Sequence, residues 1–288
     1  MKRSNGEKIF GVINILILLS LSFLCLFPFL NIFARSLSTE AEILSGRVTF
    51  FPRGFTLLAY QSVIKTPSMT NALTFTVWLT LVGTVCNLLI TICAAYPLSK
   101  KDFPGVKVIW LLILFTMFFS GGLMPTYLLV RGLGLGDKIW ALILPGVLST
   151  YNLIIMKTFF MGVPHELEES AMLDGATDIG VLFRIILPLS LPIMATLGLF
   201  YAVGHWNQFF QALLYIDSAE KYTLQLRLRQ ILFEDDANDM AEQLANPIVR
   251  TEALKSASVM FATIPILVVY PWLQKYFVKG VLIGAVKS

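Results

Sequence analysis

Six apolar runs dominate the chain, at about residues 9–34, 71–98, 107–130, 139–161, 191–216 and 257–278. Each reaches or exceeds the roughly 20 residues an α-helix needs to cross a bilayer. In hydrocarbon every backbone N–H and C=O must be satisfied within the chain, so runs of this length can fold only as helices. The predicted fold is all-α: a polytopic membrane protein with six transmembrane helices. The 288 residues are 56% hydrophobic and 14% charged, outside the range of soluble domains. The first run has no small-residue cleavage site and reads as a retained helix rather than a leader.

Lysine and arginine set the expected orientation. Lys2, Arg3 and Lys8 precede the first run, Lys100, Lys101 and Lys107 lie between the second and third, and Lys275, Lys279 and Lys287 close the chain. Alternation puts these on one side, which the positive-inside rule makes cytoplasmic. Residues 1–8 are then a cytoplasmic N-terminus, both termini are cytoplasmic, and so is the connection 162–190. The long connection from Asp217 to Ser256 carries Asp217, Glu220, Glu234, Asp235, Asp236, Asp239, Glu242 and Glu252, and falls outside. Such a long loop weighs little in the charge rule, and its length points to function or mobility. Residues 35–70 hold turn signals and are expected to contain a short surface helix.

The connection at 164–192 departs from its apolar surroundings. Pro164 suits a helix start, and Glu166, Glu168 and Glu169 crowd the end where the helix dipole favours anions. Leu167 and Ala171 share a face, and Gly175 can supply the left-handed residue that ends the helix. A second amphipathic helix carries Val181, Leu182, Ile185 and Ile186 into the next apolar run. The segment is predicted to be helix, turn, helix with one acidic exposed side; a merely solvated polar loop is the alternative. Glu169, Ala171, Gly175, Ile185, Leu187 and Pro188 fall at the spacings of Glu-Ala-Ala, three residues, Gly, nine residues, Ile-x-Leu-Pro. The segment thereby resembles the EAA loop of ABC importer permeases, through which a membrane subunit docks on an ATPase. Ser170 stands where the pattern has its first Ala, a small residue for a small one whose hydroxyl needs a partner.

Two further segments are similar to one branch of those permeases. Tyr270-Pro271-Trp272-Leu273-Gln274-Lys275-Tyr276-Phe277-Val278-Lys279-Gly280, with Gly284-Ala285-Val286-Lys287 after it, looks like the tail of the carbohydrate-uptake, maltose-type family. Gly204-His205-Trp206-Asn207-Gln208-Phe209-Phe210 resembles its Trp-Asn segment. The likeness is greatest to the oligosaccharide permeases of Gram-positive bacteria. It implies a single transmembrane domain over 9–288, with core helices at about 71–278. The implied partners are a second homologous permease subunit, two copies of an ABC ATPase, an extracellular sugar-binding lipoprotein and the lipid bilayer. The residues implied for ATPase coupling are Glu166, Glu169, Ser170, Ala171, Asp174, Gly175 and Ala176.

The chain has no Gly-x-x-x-x-Gly-Lys-Ser/Thr phosphate loop, so no cofactor is expected on it; ATP and Mg are expected at the partner ATPase subunits. It is not expected to be an enzyme. His165-Glu166 lacks a second His at metal-binding spacing, and no metal site is predicted. No basic stripe with interleaved aromatics points to nucleic acid. Cys25, Cys86 and Cys93 lie in spans and read as small apolar fillers.

On the fifth apolar run Tyr201, His205, Gln208, Gln211 and Tyr215 recur at steps of three and four residues and would share one helical face, with Asn207 beside them. That face either lines a sugar pathway or bonds to neighbouring helices; for His205 alone the interhelical role is the expectation. Thr76, Thr80, Thr84, Asn87 and Thr91, with Gly83, form a second stripe, read as close helix packing toward the bundle centre or a partner permease. Asn152 carries the same two readings. Importers of a non-sugar solute would keep the EAA loop without the sugar-type tail. A secondary transporter would more often place acids within its spans, and no Asp or Glu falls inside these six.

Overall fold

The computed structural model describes residues 5–100, 102–233 and 252–285. Lys2, Arg3, Lys101, Val286 and Lys287, together with the acidic positions Glu234, Asp235, Asp236, Asp239 and Glu242, lie outside the described residues. The described chain is helical, with no strand. In order it forms α1 (Asn5–Ser36), α2 (Glu40–Leu44), α3 (Leu58–Lys65), α4 (Pro67–Ser99), α5 (Val106–Phe118), α6 (Leu123–Gly132), α7 (Trp140–Ile143) and α8 (Thr150–Met161). There follow α9 (His165–Leu173), α10 (Asp178–Val181), α11 (Leu187–Leu189), α12 (Leu191–Trp206), α13 (Phe210–Tyr215), α14 (Leu224–Phe233) and α15 (Glu252–Ala285). Residues of 1–70 and 228–265 make up one compact unit, and those of 71–227 and 266–288 a second.

Among the described residues three helices are individually long and apolar enough to cross a membrane: Ile9–Ser36, Pro67–Ser99 and Glu252–Val269. Three more candidates are bent pairs. Val106–Phe118 and Leu123–Gly132 meet at 113°, Trp140–Gly146 and Thr150–Met161 at 58°, and Asp178–Leu189 and Leu191–Trp206 at 81°. Straight helices expected over 107–130 and 139–161 are therefore broken; the third bend falls just before the run expected at 191–216, which is itself interrupted between Trp206 and Phe210. Each break has a local cause: Gly122 at φ +87°, Pro145 and Gly146 in a 3₁₀ turn, and Pro188 and Pro192 around Ser190. Proline removes a backbone donor and crowds the preceding turn, so a helix kinks or stops there. The last helix also starts earlier than expected, at Glu252 rather than 257.

In the first unit α1 presents apolar side chains outward along its length, as a lipid-facing helix must; Cys25 is exposed there. Phe50 packs on Phe23 and Phe27 with ring centroids 5.9 and 5.2 Å away, and Asn31 Nδ2 donates to the Val48 and Thr49 carbonyls. Two short helices, α2 and α3, occupy the 35–70 segment. Glu40 of α2 caps α15: its carboxylate accepts from the Glu252 amide at 3.0 Å and the Ala253 amide at 3.1 Å. Carboxylates at this position satisfy orphan amides and favour the helix dipole.

In the second unit α4 is the axis on which other elements pack. Its cluster of Ile92, Ala95, Tyr96 and Leu98 meets Leu153, Met156 and Phe160 of α8 and Val181, Leu182 and Ile186 of the 164–192 segment. Farther back, Leu79 meets Leu142, Ile143, Ala212, Ile216 and Leu226. Within the described part of the connection after Asp217, α14 forms and buries Leu224 and Leu226. Thr76 Oγ1 receives the Leu224 amide at 2.8 Å.

Asp137 joins the connections on either side of this unit's broken helices. It adopts φ +57°, unusual for a residue with a side chain. Its carboxylate accepts from the Asp217 and Ser218 amides, the Ser218 hydroxyl and Lys221 Nζ at 2.6 Å. Hydrogen bonding to Lys221 above all holds the Asp137 carboxyl well below the usual carboxylate range. A depressed carboxylate stabilises the fold above its unfolded pKa of about 4, and that contribution is lost only as pH falls toward the folded value.

Replacing Glu40 by Ala removes both caps of α15. The expected loss is about 1 kcal/mol, read as a melting temperature roughly 2–4 °C lower for the protein purified in detergent. An unchanged melting temperature would show that the capping contacts contribute nothing.

Candidate docking helix and transport cavity

The 164–192 segment is built as its sequence dictates. Helix α9 follows Pro164, with Glu166 and Glu168 in its first turn. It ends in a Schellman arrangement: Gly175 takes φ +84°, its amide bonds the Met172 carbonyl at 3.0 Å, and the Ala176 amide bonds Ala171 at 2.9 Å. Ala171 and Ala176 both pack on the α4 cluster. Thr177 caps the next helix, its hydroxyl accepting from the Gly180 amide at 3.2 Å. Val181, Leu182 and Ile186 are buried, and Ile185 only partly. Within this second helix residues Leu182–Ile186 form a π-turn, a wider ring than the sequence pattern implies and one often found at functional sites.

The outward face of α9 carries Glu166, Glu169, Ser170 and, at its end, Asp174, all exposed. Ser170 therefore meets solvent and needs no buried partner. Glu169 lies 3.2 Å from His165 Nδ1 in its own helix. Glu168, adjacent to it in sequence, is instead buried and ion-paired with Lys100. Sequence reasoning placed all three glutamates together at the dipole; only packing separates Glu168 from its neighbours.

The second site is a cavity of about 610 Å³ in the same unit. Tyr201, His205, Asn207, Gln208 and Gln211 all line it, together with Asn87, Ser149, Asn152, Phe200, Phe210 and Tyr215. They do not reach it from one continuous helix: α12 stops at Trp206, and α13 resumes at Phe210 after a turn. Most of the polar groups are already bonded within the protein. His205 Nε2 lies 3.0 Å from Asn87 Oδ1 and Nδ1 3.2 Å from Gln208 Oε1; a neutral imidazole donates to one of these oxygens. Asn87 Nδ2 donates to the Gly146 carbonyl at 3.0 Å and Gln208 Nε2 to the Leu142 carbonyl at 2.8 Å. These are carbonyls at the break between α7 and α8, where Pro145 supplies no amide. Tyr201 shares a 2.7 Å hydrogen bond with Thr91 and accepts from the Ser149 amide at 3.3 Å. Asn207 Nδ2 donates to Val203, one turn back. Gln211 and Asn152 have side-chain amides with no hydrogen-bond partner among the described residues, so they are the groups most open to a ligand.

Of the α4 stripe, Thr76, Asn87 and Thr91 bond to other elements of this same chain, while the hydroxyls of Thr80 and Thr84 have no hydrogen-bond partner among the described residues. Gly83 is there because His205 needs the room: a Cβ at this position would sit 2.4 Å from Nε2. Ser149 was not singled out by the sequence, since a serine at the end of an apolar run reads only as a helix cap. Among the described residues no group of His, Cys, Asp or Glu is arranged to hold a metal.

Residues 105–283 match the model of a family described as "Binding-protein-dependent transport system inner membrane component". The chain belongs to this family. It is an ABC importer permease subunit, a multi-pass membrane component of a binding-protein-dependent transport system. The permease is 46% identical to protein LplC of Bacillus subtilis over 100% of its own length and 98% of the relative's. It is 41% identical to the polygalacturonan/rhamnogalacturonan transport system permease protein YtcP of the same organism, over 98% and 99% of the two chains. Among solved structures it is similar to a chain from the crystal structure of a bacterial ABC transporter involved in the import of the acidic polysaccharide alginate, with a TM-score of 0.91 and 31% identity, covering 96% of this permease and 99% of that chain.

Gly83→Ala should force His205 off Asn87 and so free the carbonyl contacts on both sides. Overpacking of this kind costs about 1–3 kcal/mol. A thermal-unfolding measurement on the purified permease that finds Gly83→Ala as stable as the parent would contradict this account of the cavity wall.

Proposed function

We propose that this permease is one membrane half of an ATP-driven importer that takes up an oligosaccharide. An extracellular sugar-binding lipoprotein delivers the sugar, a second homologous permease completes the pathway, and two copies of an ABC ATPase hold ATP and Mg and dock on α9. Both termini and residues 164–192 lie in the cytoplasm in this reading, supported by the distribution of lysine and arginine. The observation that carries the docking role is the exposed acidic face of α9, closed by Gly175 at φ +84° and seated through Ala171 and Ala176 on the apolar cluster that α4, α8 and the 181–186 segment share.

The sugar reading is supported by the cavity's chemistry and by relatives named for carbohydrate transport, among them the arabinooligosaccharides transport system permease protein AraQ of Bacillus subtilis, 28% identical. The cavity combines open amides of Gln211 and Asn152 with the aromatic rings of Phe200, Phe210 and Tyr215. Hydroxyl-rich ligands are recognised by a few oriented polar groups against apolar and aromatic walls. No lysine, arginine, aspartate or glutamate lines it among the described residues. This half therefore offers hydrogen bonds rather than charge to the sugar. ATP-driven closure would move α9 and the bent segment 178–206 together.

Glu169→Lys reverses charge on the exposed face without touching the buried cluster. It is expected to reduce co-purification of the ATPase and substrate-stimulated ATP hydrolysis at least tenfold, the scale of one lost charge-assisted contact of about 1.5–3 kcal/mol. Normal retention and normal stimulated hydrolysis would sink the docking assignment. Topology has its own test, with Cys25, Cys86 and Cys93 replaced by Ala. A cysteine at Glu220 should react with a membrane-impermeant maleimide in intact cells, and one at Asp178 only after permeabilisation; the reverse pattern would invert the orientation.

A further inference from the structure

Adjacent glutamates of α9 face opposite ways. Glu169 is exposed, with 65% of its side chain accessible, whereas Glu168 is the buried residue of this helix at 5%. Its carboxylate is met by Lys100, immediately beyond the end of α4. Lys100 Nζ also lies 4.6 Å from the centroid of the Tyr96 ring, one turn back on α4, and Tyr96 packs edge-on against Phe160 at 6.4 Å. Lys100 is thus held from two sides, by a carboxylate and by an aromatic face.

Helix α4 continues from this point to the cavity. Thr91 bonds Tyr201 and Asn87 bonds His205. Asn87 lies twelve residues before Ser99, the last residue of α4, which puts Lys100 about 20 Å along the helix axis at 1.5 Å per residue. Helix α4 carries this stretch to Ser99 without a break, Pro97 removing one backbone donor only in its last turn, whereas the other route is bent by 81° at Ser190 and passes through the π-turn.

We propose that the Lys100–Glu168 ion pair is the link by which displacement of α9 is passed to α4 and through it to the cavity wall. Lys100 and Glu168 are positioning residues. Apolar contacts, such as those of Ala171 and Ala176, permit sliding; the ion pair resists it, because separation leaves the buried Glu168 carboxylate without the partly exposed lysine that compensates it. The proposal rests on the reading of α9 as the ATPase contact. It adds that force enters the membrane unit along α4, through the glutamate that faces inward, and not only along the chain from α9 to α12.

The test uses the assembled complex of this permease, its partner permease and the ATPase in proteoliposomes. Cys25, Cys86 and Cys93 are replaced by Ala, and Gln211→Cys reports on the cavity. The rate of maleimide modification at 211 is compared without nucleotide and after trapping with ATP and vanadate. In the parent the two rates should differ about fivefold or more, the lower range of site-to-site coupling. Lys100→Met and Glu168→Gln should each retain the ATPase and its basal hydrolysis while bringing the two rates within about twofold. Lys100→Arg, and the exchange Lys100→Glu with Glu168→Lys, should restore the difference. A parent that shows no nucleotide-dependent change, or does not hold the ATPase, would defeat the docking reading itself. With a responsive parent, a full response in Lys100→Met and Glu168→Gln would overturn the link. So would loss of the ATPase in both that neither Lys100→Arg nor the exchange repairs, because the pair would then serve only to keep α9 folded.

Discussion

Hydrocarbon cannot hydrogen-bond a peptide group, and that constraint organises the second unit of this permease. A straight helix meets it alone. A broken one exposes carbonyls that something else must satisfy, and between α7 and α8 the Leu142 and Gly146 carbonyls are satisfied by the side chains of Gln208 and Asn87. His205 lies between those two amides and, as a neutral imidazole, donates to the oxygen of one of them. The break that makes room for a cavity and the polar residues that line it are thus two aspects of one structural solution. Gly83 completes it by leaving space for the imidazole.

The polar inventory of the cavity divides accordingly. Asn87, Tyr201, His205 and Gln208 hold the wall in shape, and their hydrogen bonds are engaged within the protein. Asn152 and Gln211 present amides without such obligations. A wall whose own groups are mutually bonded is preorganised, so a ligand need not compete with water for every contact. Closely packed broken helices also offer two discrete arrangements more readily than a continuous range, as alternating access requires.

Helix α9 shows how one short acidic segment can face two neighbours. Its exposed carboxylates add to a favourable dipole at little desolvation cost, while the one buried carboxylate has a lysine partner, without which burial would be prohibitive. The Schellman end fixes where the chain reverses, and Thr177 starts the next helix two residues later. Together these features give α9 a defined orientation on α4 rather than a loose surface attachment.

The sequence alone determined the helical membrane class, the approximate positions of the spans, and the helix-turn-helix at 164–192 with its left-handed Gly175, because hydropathy, proline, glycine and charge act locally on the backbone. Residues at helical spacing also pointed to Tyr201, His205, Gln208, Gln211 and Tyr215 as neighbours, although α12 stops at Trp206. Only the tertiary structure decided that Glu168 turns inward to Lys100, that Asn87 and Gln208 serve carbonyls at a distant break, and that Ser149 and Asn152 join the cavity. It also decided that α14 forms inside what reads as a polar loop, where Leu224 and Leu226 find α4 and its neighbours to pack on. These depend on partners 59 to 148 residues away, and periodicity along one helix carries no information about what lies across from it.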